Sequence, residues 1–323
     1  MISTILLVIA LVVIGFLIYA LITKTKCPPS STVMSETRPS STSTLSPFSN
    51  ENLESEADGL FNLALETTKT ARQQSGDPKT ENDLQSVGID DVLVISLDNS
   101  PRWTTHTLKN LENGGFARNN YRRWRGVRGT SLPESTVNQL TTPNRQYLIG
   151  CEEHQRIGKI DSSQFSLGAV GCALSHWAAW YHVATNDNIR AALVLEDDVY
   201  FKTNDAPLRI ASLVAEAGGV DNFDFLRLDP YPSAKNHNMC FRSSKFTQNL
   251  DRELGLTYHF TGYVVTKRGA RKLLHRALPL YEHIDHHPSY LADIYPDEFL
   301  ALMLGKGKSF MRQNRLIPST IRT

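Results

Sequence analysis

The chain has 323 residues, 41% hydrophobic and 21% charged, and its 34 basic side chains nearly balance 33 acidic ones. That balance excludes a whole-chain electrostatic partner, so a nucleic-acid or polyanion binder is not expected. The four cysteines, Cys27, Cys151, Cys172 and Cys240, share no metal-ligand spacing and are too sparse to staple a domain of this length.

Met1 to Thr23 carries no charged side chain, and Ile5 to Ile18 is almost continuously apolar. At about 1.5 Å per residue such a helix crosses a hydrocarbon core of roughly 30 Å, so residues 1–23 read as a transmembrane anchor. A cleaved signal peptide is the competing reading, although it ordinarily has a charged n-region, a shorter apolar core and a small-residue cleavage site. Lys24 and Lys26 follow the span and favour a cytoplasmic C-terminal side. Residues 24–90 turn to Ser, Thr, Pro and acidic side chains, which bury too little apolar surface to offset ordering entropy, so a largely disordered stem is expected. Leu60, Phe61, Leu63, Ala64 and Leu65 interrupt it as a short helix packing on the domain. No tandem repeat and no Asn-x-Ser/Thr acceptor site occurs.

Residues 91–323 read as one α/β domain. Val92–Leu97 is a buried strand bounded by the turn-forming Asp98 to Pro101. Trp103, Leu108 and Leu111 continue as a helix that Gly114–Gly115 stops, and Tyr121–Val127 supplies a second, parallel strand. Helical spacing returns from Val170 to Tyr181, followed by a strand at Ala191–Leu195. A helix over 206–217, strands at Phe223–Leu228 and Tyr258–Val265, and a helix over Arg268–Ala277 complete an α/β/α sandwich.

The third strand runs into Glu196, Asp197 and Asp198, at the end of a sheet where open α/β folds place ligands. Three adjacent carboxylates repel one another unless a cation neutralises them, and a hard divalent ion suits oxygen ligands. Strand geometry points Glu196 and Asp198 the same way and Asp197 elsewhere. A solvated acidic turn is the bland alternative.

Leu167-Gly-Ala-Val-Gly-Cys-Ala-Leu-Ser-His-Trp-Ala-Ala-Trp180, followed by Leu193-Val-Leu-Glu-Asp-Asp198, resembles the signature of glycosyltransferase family 25. Val92 to Asp98 with Pro101 and Arg102 is similar to the family's opening strand and nucleotide-side turn, and Tyr121–Val127 with Gly129 to its next strand and glycine turn. Thr261 to Leu274 resembles the segment after the acidic motif, with Asp285 where the family often has an aspartate. The likeness covers roughly residues 91–323.

This resemblance implies a GT-A-like, Rossmann-type fold and inverting transfer of a hexose from a nucleotide sugar, UDP-galactose favoured, to a hydroxyl of a glycan or glycoprotein. It implies a divalent cation, Mn2+ or Mg2+, on Asp198 and Glu196, with Glu196, Asp197, Ser175, His176 and Arg102 beside the donor. The opening here has Asp98-Asn-Ser-Pro-Arg102-Trp103 where the family is often richer in arginine. Such chemistry favours the Golgi or endoplasmic reticulum lumen, with a cytoplasmic domain as the alternative that Lys24 and Lys26 support.

The general base is assigned to Asp285, against Asp229, Asp297 and Glu298. The last two also read as the first turn of a helix over Phe299–Met303. Ser175 and His176 are helix neighbours about 100° apart and cannot form a nucleophile–base pair, and His176 alone is equally well a buried hydrogen-bonding group. His283, His286 and His287 could ligate a metal but are more ordinary as solvent-facing loop residues. A metal-dependent hydrolase and an inactive, membrane-tethered glycan-binding protein are the competing functions.

Overall fold

A computed structural model describes residues 58–72, 82–141, 166–230, 243–255, 257–280 and 283–314. The predicted anchor at 1–23, most of the stem, and Cys27, Cys151 and Cys240 lie outside the described residues. Among the described residues no helix is long and apolar enough to cross a membrane.

The principal elements are α1 (Asp58–Thr67), α2 (Asn82–Ser86), β1 (Ile89–Ser96), α3 (Leu108–Asn113), β2 (Arg122–Arg125), α4 (Leu167–Thr185), β3 (Ala191–Glu196), β4 (Val199–Phe201), α5 (Ala206–Glu216), β5 (Phe225–Arg227), β6 (Ser243–Lys245), β7 (Leu250–Glu253), β8 (Gly262–Thr266), α6 (Lys267–Arg276), α7 (His287–Ile294), β9 (Ala301–Leu304) and β10 (Met311–Gln313). Eight strands form one mixed sheet in the order β2-β1-β3-β8-β5-β9-β7-β6, and β4 pairs separately with β10. β1 is parallel to β2 and β3, and β5 to β9, while β8 runs against both β3 and β5. β7 and β8 are the reversed strands of an otherwise co-directional, Rossmann-like sheet.

Alternate residues of each central strand serve opposite faces. Leu93, Ala192, Val194, Phe225, Tyr263 and Val265 face a core built with α1, α4, α6 and α7. Val92, Val94, Leu193, Leu195, Leu226 and Val264 face a second core built with α2, α3 and α5. This two-sided burial explains why β1 and β3 read as near-continuous apolar runs rather than alternating ones. α4 starts at Ser166, whose hydroxyl accepts the Ala169 amide proton at 3.2 Å. It is apolar nearly all round because the sheet lies on one side and α1 and α6 cover the others. The loop after β2 presses on its first turn: a Cβ on Gly129 would stand 1.6 Å from the Leu167 carbonyl oxygen.

β1 starts at Ile89, and the short helix expected at 60–65 is α1, which lies on α4 with Phe61 edge-on to Trp177 at 5.2 Å. One expectation needs correction. Asp297 and Glu298 open no helix: they sit in a turn that leads into β9. A short apolar run such as Phe299–Met303 has no periodicity that distinguishes strand from helix, and here pairing with β5 and β7 decides it.

Candidate active site

From β1 the chain passes to β2 on one side and then to β3 on the other, so a topological switch point lies between the carboxyl ends of β1 and β3. Glu196 ends β3, pairs with Ile95, and is followed by Asp197 and Asp198 in the turn to β4. Gly262 pairs with Leu195, and Arg227 with Tyr263, so the start of β8 and the end of β5 share this edge.

The three carboxylates have separate partners. Asp197 is buried, and its Oδ1 accepts from Arg102 Nη1 at 3.1 Å. Its Oδ2 accepts from the hydroxyls of Ser96 at 2.9 Å and Ser100 at 3.3 Å, and its carbonyl from Thr107 Oγ1 at 2.7 Å. Asp197 thus ties the β3 turn to the segment after β1. Arg102, expected beside the donor, lies buried against this acid.

Glu196 faces α4. Trp180 Nε1 can only donate, so the Tyr263 hydroxyl accepts from it at 3.0 Å, and we assign that hydroxyl's own proton to His176 Nδ1, 2.9 Å away. The imidazole proton then occupies Nε2, 3.3 Å from Glu196 Oε1. Burial, against the opposing pull of Asp285, takes His176 down to about 3, so the ring is neutral at pH 7. Burial, then the charges of Asp285, Asp197 and Asp229, push Glu196 up to about 8.

Asp198 Oδ2 accepts from Gln313 Nε2 at 3.1 Å and its carbonyl from the Asn314 amide at 2.7 Å. Its Oδ1 is buried with no hydrogen-bond partner among the described residues. Burial, then Glu196 and Asp197, push this group also up to about 8. A cation would relieve the repulsion and satisfy the orphaned oxygen together. The oxygen-only pair of Asp198 and Glu196 therefore fits a hard divalent ion.

Ligand atoms of Cys172, His176 and Glu196 also lie within 4.8 Å of one another. This trio suits a metal less well, because His176 Nε2 carries a proton and the Cys172 thiol is pushed well up, first by burial and then by Glu196, Asp285 and Asp198.

Asp285 lies in a one-turn 3-10 segment, Ile284–His286, immediately before α7, rather than in an irregular loop. Its Oδ2 accepts the His259 amide proton at 2.8 Å, and its Oδ1 is 3.7 Å from His286 Nε2. Burial alone would raise its pKa, but His286, His283, the His259 amide and Arg227 together draw it below the usual carboxylate range. It is an ionised acid among neighbours forced toward neutrality. Asp229, after β5, joins the cluster through Gln313, whose amide it accepts at 3.2 Å. Asp297 is exposed.

Ser175, expected beside the donor, has two backbone partners. Its hydroxyl donates to the Gly171 carbonyl at 2.6 Å and accepts the Val127 amide proton at 2.8 Å, fastening the loop after β2 to α4. His286 and His287 are buried rather than solvent-facing: His286 packs edge-on to Tyr258 at 4.7 Å, and His287 Nε2 bonds the Leu273 carbonyl at 2.9 Å. Tyr263 and Trp180 lay within the family-like segments without a role of their own. Gln313 and Asn314 carried no signal, since their contact depends on the β4–β10 pairing.

The family profile described as glycosyltransferase family 25 (LPS biosynthesis protein) matches residues 89–287. A "Glycosyltransferase 25 family member" of Drosophila melanogaster is 29% identical over 183 residues, 54% of this chain and 25% of its own length. One of Anopheles gambiae is 28% identical over 136 residues, 38% of this chain and 22% of its own. A "Procollagen lysyl hydroxylase and glycosyltransferase" of Acanthamoeba polyphaga mimivirus is 31% identical over 150 residues, 43% of this chain and 14% of its own. This chain spans a quarter or less of the length of these three curated relatives.

Proposed function

This chain belongs to glycosyltransferase family 25, and on that premise we propose that it transfers a hexosyl group, galactose favoured, from a nucleotide sugar to a hydroxyl of a glycan or glycoprotein, with inversion. The observation that carries the reading is the Asp198 carboxylate, buried at the switch point with Oδ1 unpartnered beside Glu196. The arrangement supports a GT-A-like assignment, in which the donor diphosphate lies over the carboxyl ends of β1 and β3.

Asp198 and Glu196 would hold a divalent cation, which when bound supplies positive charge to the departing nucleoside diphosphate. His176, assigned as the Nε2–H tautomer, orients Glu196 by donating to Oε1. Asp197, held by Arg102 and two serines, fixes the turn that carries Asp198. Asp285, kept ionised by its histidines and the His259 amide, accepts the proton of the acceptor hydroxyl as that oxygen attacks the anomeric carbon. The bond to the diphosphate breaks on the opposite face, so the configuration inverts. The family's chemistry and the apolar residues 1–23 support a membrane-tethered enzyme facing the Golgi or endoplasmic reticulum lumen. Protease added to sealed microsomes tests this, because digestion without detergent would put the domain in the cytosol.

The test of activity is a screen of the full chain against nucleotide sugars and hydroxyl acceptors, with manganese or with chelator. The mimivirus relative's name supports including procollagen-type hydroxylated peptides among the acceptors. Metal-dependent transfer from one donor supports the reading. Donor hydrolysis that no acceptor accelerates would favour a hydrolase, and undiminished transfer in chelator would remove the cation.

A further inference from the structure

The Arg227–Glu253 pair lies beneath the proposed base. Both side chains are completely buried, with Arg227 Nε 3.1 Å from Glu253 Oε2 and Nη2 3.0 Å from Oε1. Replacing a buried ion pair with apolar side chains of similar volume often costs nothing or stabilises, so stability alone is a weak reason for one in this core. The rings of Phe225 and Phe260 stand 5.4 and 5.1 Å from the guanidinium, an environment that would accept an apolar residue.

The remaining donors of Arg227 show what the pair holds. Nη1 donates to the His259 carbonyl at 2.7 Å and Nη2 to the Asp285 carbonyl at 2.9 Å. His259 has a left-handed backbone, φ 75°, a conformation uncommon for a residue with a Cβ. In that conformation its amide points at Asp285 Oδ2, 2.8 Å away. One planar fork therefore grips the backbone on both sides of the hydrogen bond that aims the carboxylate. Glu253 is fixed in turn by the Ser289 hydroxyl of α7, which also accepts the Thr257 amide proton at 3.2 Å.

We propose that Arg227, braced by Glu253, is a positioning residue that sets the orientation of the Asp285 carboxylate by clamping the His259 and Asp285 carbonyls. The proposal rests on Asp285 being the base. A lysine cannot reproduce it, because an ammonium is a point donor without the fork that reaches Glu253 and two carbonyls in one plane.

The test uses the full chain and compares Arg227→Lys, the double variant Arg227→Met/Glu253→Met, which leaves no unpaired charge, and Asp285→Asn. In whichever Arg227 variant keeps the wild-type near-ultraviolet circular dichroism, kcat falls about tenfold to a hundredfold while the donor KM stays within about twofold, the pattern of a misplaced catalytic group. A kcat near wild type in a folded variant overturns the proposal. So does a fall in activity that tracks lost thermal stability in both variants, with donor KM rising in step, since that is what a purely structural pair would do. The underlying reading fails separately: full turnover in Asp285→Asn removes the base whatever Arg227 does, whereas an inactive Asp285→Asn beside an active Arg227→Lys removes only the clamp.

Discussion

Replacing Tyr263 by Phe deletes one oxygen from a fully buried chain of hydrogen bonds. That oxygen accepts from Trp180 Nε1 at 3.0 Å and donates to His176 Nδ1 at 2.9 Å, and all three residues are inaccessible to solvent. The variant keeps the ring, and so keeps the stacking on Phe225 at 4.8 Å, but strands a donor on Trp180 and an acceptor on His176. Each stranded group costs about 1–3 kcal/mol, so the loss is about 2–6 kcal/mol. At roughly 2–4 °C per kcal/mol for a domain of this size, the melting temperature falls by roughly 5–20 °C. Thermal unfolding of the full chain followed by circular dichroism measures it. Trp180→Phe in the Tyr263→Phe background adds less than it costs alone, because the two share one bond. A drop below about 2 °C for Tyr263→Phe would show that the chain is not formed as described, and with it the Nε2–H tautomer of His176.

Asp198→Asn cannot offer an anionic oxygen to a cation, so turnover falls at least about a hundredfold; above pH 8, where the wild-type carboxylate is ionised against burial, Glu196 and Asp197, the cation-free variant melts at or above the wild-type temperature, and a large loss of stability there would contradict the repulsion. Glu196 and Asp198 have folded pKa values raised to about 8, so their contribution to stability is present at low pH and is lost as pH rises through about 8. His176 and His287, lowered to about 3 and about 4, act oppositely but finish titrating near their unfolded value of 6.5. Between those limits the acids dominate: the cation-free melting temperature falls from pH 6.5 to 8, and manganese abolishes the fall, whereas a rise over that window would contradict the assignment. Gly129→Ala puts a Cβ 1.6 Å from the Leu167 carbonyl oxygen, so the loop after β2 must leave α4 at a cost of about 1–3 kcal/mol or more; an unchanged melting curve would show that this contact is loose.

The parts of the fold that the sequence made legible are those whose burial is two-sided. β1 and β3 announced themselves as apolar runs, and α4 through the helical spacing of its apolar side chains from Val170 to Tyr181. β6 and β10 are three residues each, the first exposed throughout and the second in part, so nothing in their composition marks them as strands. The acidic triplet was visible, but its division of labour was not, since Asp197 meets Ser96, Ser100 and Arg102 about a hundred residues away in the chain. Asp285 stood out through a likeness to the family and because, unlike Asp297 and Glu298, it had no first-turn reading to account for it. The clamp around it was invisible, because Arg227 and Glu253 are separated by 26 residues and no local pattern pairs them.

The central claim is that this edge of the sheet moves a sugar from a nucleotide to a hydroxyl with inversion. Its most direct test is to incubate the full chain with a nucleotide sugar, manganese and an accepted hydroxyl substrate, counting nucleoside diphosphate released against glycosylated product and determining the product's anomeric configuration by nuclear magnetic resonance. One diphosphate per glycosylated acceptor, with configuration opposite to the donor's, is the expected result. Diphosphate release without glycosylated product, or a product retaining the donor's configuration, would contradict it.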